Sequence, residues 1–188
     1  VKTHVLGWSF GGQVALKLAM RHAAQVDDMV LVATTPKFVS DDGWTHAVKP
    51  GVLSDFAARL STNYAATIRN FLTLQALSRD KDKMRNTIQL LQKAVSARGA
   101  PNIENLMHGL KILAASDLRE QLHLVTQRTL VIQGDQDTLT PEPAARWLAT
   151  ALPNVICAEY EMIPTAAHAP FLSHRMFFIN RVKQFLQV

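Results

Sequence analysis

Gly7-Trp8-Ser9-Phe10-Gly11-Gly12 sets a serine inside a G-x-S-x-G frame, where an apolar run (Val5, Leu6) ends and an amphipathic stretch (Val14, Ala15, Leu18, Ala19) begins. That setting reads as a nucleophile elbow, a sharp strand-to-helix turn that lifts a hydroxyl above the end of a strand. Small neighbours leave room for the crowded backbone, and Gly7 and Gly11 stand where the frame requires them. A serine hydroxyl is a poor nucleophile at neutral pH. Attack on a carbonyl therefore needs a base to take its proton and a third group to orient that base.

Both partners have candidates downstream. A short apolar strand, Arg128 to Gln133, runs into Gly134-Asp135-Gln136-Asp137-Thr138-Leu139-Thr140-Pro141, a polar turn ahead of a helix. Either aspartate of that turn can serve as the orienting acid. A second strand, Val155 to Ile163, leads into Thr165-Ala166-Ala167-His168-Ala169-Pro170, where small neighbours let an imidazole reach across a site, so His168 is the candidate base. The other histidines compete poorly. His22, His108 and His174 fall on predicted helices, His4 precedes the elbow strand, and His46 and His123 lie in connections without a matching acid. None has metal-ligand spacing with cysteine or carboxylate, so no metal and no other cofactor is expected. Serine, acid and histidine follow in the α/β-hydrolase order, each at the C-terminal end of a predicted strand, where open parallel sheets place their ligands.

The elements that must hold these residues come in three blocks. Thr3 to about Phe38 reads as strand, elbow, helix and second strand (Met29 to Ala33), a βαβ pattern that implies parallel pairing. From residue 39 to 114 strand signals vanish. Met84, Ile88, Leu91 and Val95 recur at helical spacing, as do Ile103, Leu106, Met107 and Leu110, with a break at Gly99-Ala100-Pro101. This segment is expected to be a helical lid inserted into a core formed by residues 1–38 and 115–188. Strand and helix then alternate again, ending with Phe178, Val182 and Phe185 on one face of a terminal helix. Cys157, inside a predicted strand, is expected to be a small core residue.

The elbow G-W-S-F-G-G, the stretch Phe71-Leu72-Thr73-Leu74-Gln75, the G-D-Q-D-x-x-x-P turn and the A-A-H-A-P-F-L-S-H segment at 166–174 together resemble the BioH-type pimeloyl-[acyl-carrier protein] methyl ester esterases of bacterial biotin synthesis. The resemblance runs over the whole chain, and the histidine segment is its most specific part. It implies Ser9 as nucleophile, His168 as base and, of the two aspartates, Asp137 as acid. It also implies acyl-chain contacts from Trp8 and from Phe71, Leu72, Thr73, Leu74 and Gln75. The Phe10 N–H, next after the nucleophile, is expected to be one oxyanion donor. The fold implied is an α/β hydrolase represented by a parallel sheet of its strands 5–8 with flanking helices and a lid, the N-terminal strands being absent. Roughly 70 to 80 residues would precede the elbow in such a fold. The strand Thr3 to Trp8 would then be an exposed apolar edge that invites association with another chain.

Charge is localised. Between Arg69 and Arg98 seven basic residues (Arg69, Arg79, Lys81, Lys83, Arg85, Lys93, Arg98) face only Asp80 and Asp82, which accounts for the whole formal net charge of +5. A basic helical surface over an active-site mouth draws in anionic partners. An acidic carrier protein fits it, docking on Arg69, Arg79, Lys81, Lys83 and Arg85, although Ala66 and Asn70 stand where the resemblance leads one to expect further cations. Aromatic residues are not interleaved with these cations and no recognition motif is present, which argues against nucleic acid. With 48% hydrophobic and 19% charged residues the chain can bury a sizeable core, yet no apolar run is long enough to span a membrane. A single cysteine excludes an internal disulfide and suits a reducing cytoplasm. Two other readings stay open on the sequence: an esterase, lactonase or C–C hydrolase for free small substrates, and an inactive fragment acting as a binding scaffold.

Overall fold

In the computed structural model, residues 2–99, 101–153 and 158–187 are described. Four strands, β1 (Thr3–Trp8), β2 (Val26–Val32), β3 (Thr129–Gly134) and β4 (Ala158–Ile163), form one parallel sheet in the order β1-β2-β3-β4. Each parallel step needs a crossover. The first is α1 (Phe10–Arg21); the second contains α2 (Val52–Thr62), α3 (Tyr64–Gln75), α4 (Lys81–Ser96) and α5 (Ile103–Ala115); the third is α6 (Glu142–Ala151). The single turn α7 (Pro170–Ser173) and α8 (Arg175–Leu186) follow β4.

Alternation along the strands sorts the core into two layers. Met29, Leu31 and Val131 pack with Ala15, Leu16 and Ala19 of α1 and Ala145 and Leu148 of α6. Val30, Val32, Leu130 and Ile132 face the other way, against Phe178 and Phe185 of α8. Burial on both faces explains the unbroken apolar run Leu130 to Ile132 between Thr129, whose hydroxyl donates to the Gln127 carbonyl, and Gln133. Each strand thus delivers its C-terminal end to the same rim.

Several boundaries differ from the pattern-based expectation. β2 starts at Val26, not Met29, because pairing with β1 begins there and Asp28 finds Arg128 as an ionic partner at 2.9 and 3.0 Å. His4 lies inside β1 rather than before it, since the backbone pairs with β2 whatever the side chain. His22 caps the end of α1, and His174 occupies the turn between α7 and α8, so neither is a helix-interior residue. Val155, Ile156 and Cys157 of the expected last strand lie outside the described residues. Among the described residues β1 pairs on one side only, and Leu6, Val14 and Leu18 beside it are exposed.

The long β2–β3 crossover is tied down at its base. Asp117 accepts from Arg119 and from Lys37, Lys37 also bonds Asp41, and Arg119 reaches the Gly43 carbonyl and lies over the Trp44 ring. A second anchor lies beyond α3, where Ser78 Oγ donates to the Thr165 carbonyl and the Arg79 N–H donates to Gln136 Oε1.

Candidate active site

Ser9 sits between the last residue of β1 and the first of α1 with φ 54° and ψ −124°, a backbone region that a side chain seldom occupies. Hydrogen bonds hold it there. Its N–H donates to the Val32 carbonyl at 2.9 Å, and its carbonyl accepts from the Gly12 N–H at 2.9 Å and from Thr34 Oγ1 at 2.7 Å. A Cβ at Gly7 would lie 2.5 Å from the Gly11 carbonyl oxygen and 2.7 Å from Gly12 Cα, so the turn cannot close over any larger residue. The second steric demand falls on Gly12, where a Cβ would strike the Thr34 side chain. A Cβ at Gly11 would meet nothing within 4 Å among the described residues.

The β3–α6 turn brings Asp137 to the same rim, and the β4–α7 connection brings His168. Ser9 Oγ is 2.8 Å from His168 Nε2, and His168 Nδ1 is 2.8 Å from Asp137 Oδ2. His168 is 1% exposed and Asp137 6%, while Ser9 is half-buried, so the chain of bonds opens to solvent at the hydroxyl. Burial pushes the Asp137 carboxyl up, but the His168 charge and bonds from His168 and Thr140 outweigh it and hold the carboxyl below its ordinary value. With Asp137 ionised, Nδ1 of His168 carries the proton and Nε2 is left free to accept one from Ser9. Trp8 supports the base directly: its Nε1 donates to the His168 carbonyl at 2.7 Å, and its ring packs on Phe171. Asp135 is exposed at the start of the same turn, away from this chain of bonds.

A cavity of about 470 Å³ opens beside Ser9. Trp8, Phe10, Phe71 and Gln75 line it, together with Phe56, Leu60 and Ile68 of α2 and α3 and Asn105, Leu106, Leu110 and Leu113 of α5. The α5 residues are not among those the sequence pattern marks for the site, although the spacing of Leu106, Leu110 and Leu113 defines one face of a helix. Gln75 is buried, and its Oε1 has no hydrogen-bond partner among the described residues. Leu72 instead packs between helices with Ala76 and Leu91, Thr73 bonds back to the Arg69 carbonyl, and Leu74 lines a separate groove between α2 and α3. Arg79, Lys81, Lys83 and Arg85 cluster where α4 begins. Lys83 Nζ lies 3.5 Å from His174 Nε2, and Arg85 pairs with Asp82 at 3.7 Å. Arg69 is exposed on α3. No group of three or more His, Cys, Asp or Glu placed to hold a metal occurs among the described residues, and no helix there is long and apolar enough to cross a membrane.

A strained serine at a strand-helix turn, bonded to a buried histidine–aspartate pair at the rim of a parallel sheet, defines a serine hydrolase of the α/β-hydrolase class. Residues 1–175 match the family described as alpha/beta hydrolase fold. Solved structures agree on the fold: a bromoperoxidase from Bacillus anthracis superposes with a TM-score of 0.83 at 18% identity, covering 98% of this chain and 67% of that one. An enol-lactonase from Burkholderia xenovorans gives 0.81 at 21% identity, covering 100% and 66%. Sequence relatives are closer. A pimeloyl-[acyl-carrier protein] methyl ester esterase of Nitrosomonas europaea is 40% identical over 94% of this chain and 68% of its own length. Its counterpart in Nitrosospira multiformis is 36% identical over 96% and 67%. The chain belongs to this esterase family within the alpha/beta hydrolases.

Proposed function

We propose that the chain carries the catalytic machinery for hydrolysing the methyl ester of pimeloyl-acyl-carrier protein in biotin synthesis. The observation that carries this reading is the bonded series Asp137–His168–Ser9 opening into an apolar cavity, in a chain whose relatives bear that activity in their names. Ser9 Oγ attacks the ester carbonyl carbon while His168 Nε2 takes its proton. The oxyanion that forms is met by the Phe10 N–H at the N-terminus of α1, where the helix dipole also favours negative charge. The tetrahedral adduct collapses as His168 returns the proton to methoxide, and methanol leaves. Water, deprotonated by His168, then attacks the acyl-Ser9 ester; as the adduct collapses His168 returns that proton to the departing Ser9 Oγ, and the acid is released and ionises to the carboxylate.

In this reading residues 1–38 and 115–188 form the hydrolase core and 39–114 the lid. The lid supplies Phe56, Leu60, Phe71 and Leu110 as the apolar wall for the acyl chain, with Gln75 offering a polar contact. Arg69, Arg79, Lys81, Lys83 and Arg85 supply a docking face for an acidic carrier. The free side of β1, with Leu6, Val14 and Leu18 exposed, supports pairing with a further strand. The test is direct. A fluorophosphonate probe is expected to label Ser9, and the methyl ester of pimeloyl-carrier protein to be turned over with higher kcat/KM than a nitrophenyl ester. Labelling without any gain from the carrier would leave a hydrolase of free esters, and absence of labelling would overturn the catalytic reading.

A further inference from the structure

Five donors converge on the Asp137 carboxylate. The N–H groups of Leu139 and Thr140 reach Oδ1 at 2.9 and 3.1 Å, while Oδ2 receives His168 Nδ1 at 2.8 Å, Thr140 Oγ1 at 2.6 Å and Gln133 Nε2 at 3.0 Å. The backbone pair belongs to the turn itself, but the two side-chain donors crowd onto the very oxygen that faces the base. Gln133 is the polar residue in the interior of β3, 0% exposed, and its Nε2 also reaches the carbonyls of Thr140 at 2.8 Å and Gly134 at 3.2 Å. Its Oε1 has no hydrogen-bond partner among the described residues. A buried carbonyl without a donor is unfavourable, and an apolar side chain would fill a central strand without that cost. The amide is therefore placed for what its nitrogen does.

We infer that Gln133 and Thr140 are positioning residues that fix Asp137 Oδ2 on His168 Nδ1 and, by sharing its charge, limit how strongly it holds the imidazolium. This rests on the triad reading above. Both donors are neutral, so they stabilise the carboxylate without adding a titrating group. The ionisable side chain facing this carboxylate among the described residues is His168. Asp135, His174, Lys83 and Asp80 interact with one another at the rim instead. Removing a donor from Oδ2 concentrates negative charge on the bond to His168, so the imidazole binds its proton more tightly. Because His168 must be neutral to accept the proton of Ser9, the acid limb of the rate profile then moves to higher pH.

The test measures kcat, KM and the pH profile of kcat/KM on a short nitrophenyl ester for Thr140→Val, Thr140→Ser and Gln133→Met, with fluorophosphonate labelling of each protein. Thr140→Val keeps the volume and deletes the donor. It is expected to lower kcat about tenfold with KM little changed, and to raise the acid limb by about 0.5–1 pH unit. Thr140→Ser is expected to restore both, and Gln133→Met to act in the same direction as Thr140→Val. An acid limb that stays in place or moves down in Thr140→Val would overturn the inference, as would a loss confined to KM. If Gln133→Met does not fold, the Thr140 pair decides alone. A wild-type protein that is not labelled at Ser9 would instead remove the triad reading, and this inference with it.

Discussion

Replacing Asp137 by asparagine changes one atom and should disable the base while sparing the fold. The amide must choose an orientation. Its oxygen is drawn to the Oδ1 position, because the Leu139 and Thr140 N–H groups there are fixed backbone donors. The NH₂ then stands where Oδ2 was, facing Gln133 Nε2, Thr140 Oγ1 and His168 Nδ1. The Thr140 hydroxyl can rotate to accept, and Gln133 can turn toward the new amide its Oε1, which has no partner among the described residues. His168 can accept only by moving its proton to Nε2, which then points at Ser9 Oγ and can no longer take a proton from it. Loss of the correct tautomer costs on the order of 10⁴-fold in kcat in serine triads, about 5.5 kcal/mol of transition-state stabilisation. The adjustments available to Thr140 and Gln133 keep the stability loss to about 1–2 kcal/mol. Turnover of a nitrophenyl ester together with thermal melting by circular dichroism would measure both. Asp137→Asn with turnover within about tenfold of wild type would refute the reasoning. So would an equal loss in Asp135→Asn, whose carboxylate is exposed.

Three other outcomes follow from the same geometry. Gly7→Ala should destabilise the chain by at least about 1–3 kcal/mol and abolish turnover, since the atoms nearest the new Cβ are backbone atoms of Gly11 and Gly12, which cannot move aside as a flexible side chain would; an unchanged melting temperature would count against the packed elbow. Lys81→Glu with Arg85→Glu, both exposed on α4, should raise KM for carrier-bound substrate far more than for a small neutral ester, with the gap closing at high salt; equal, salt-insensitive losses would sink carrier docking there. Arg128 bonds hold the Asp28 carboxyl below its ordinary value against the opposing effect of burial. Its contribution to stability is therefore present above the unfolded-state value of about 3.9 and lost as pH falls through the folded one. The melting-temperature gap between wild type and Asp28→Asn should be full at neutral pH and vanish in acid, and a gap that does not change with pH would contradict this assignment.

Much of this site was legible because its chemistry is carried by short local frames. The elbow, the two-aspartate turn and the His168 segment each follow a strand that periodicity alone reveals, and parallel pairing then forces the three strand ends onto one rim. What pattern cannot supply is direction around a helix. Five consecutive residues, Phe71 to Gln75, were expected as acyl contacts, but successive side chains on a helix point about 100° apart. Only Phe71 and Gln75, one turn from each other, reach the cavity beside Ser9, while Leu74 points to the groove behind it. The same limit hid α5, whose apolar stripe reads equally well as core until the position of Ser9 shows which way it faces. Gln133 was hidden for a different reason. A glutamine ending an apolar strand looks like the edge of the core, and only the folded structure shows its amide turned onto Asp137 Oδ2. Gly11 misled in the opposite sense: the frame names it, yet beside the demand at Gly7 the second collision to avoid lies between Gly12 and Thr34, whose hydroxyl also bonds the Ser9 carbonyl. The strain at Ser9 is thus carried jointly by β1, β2 and α1, and a motif written along one stretch of chain records only part of what enforces it.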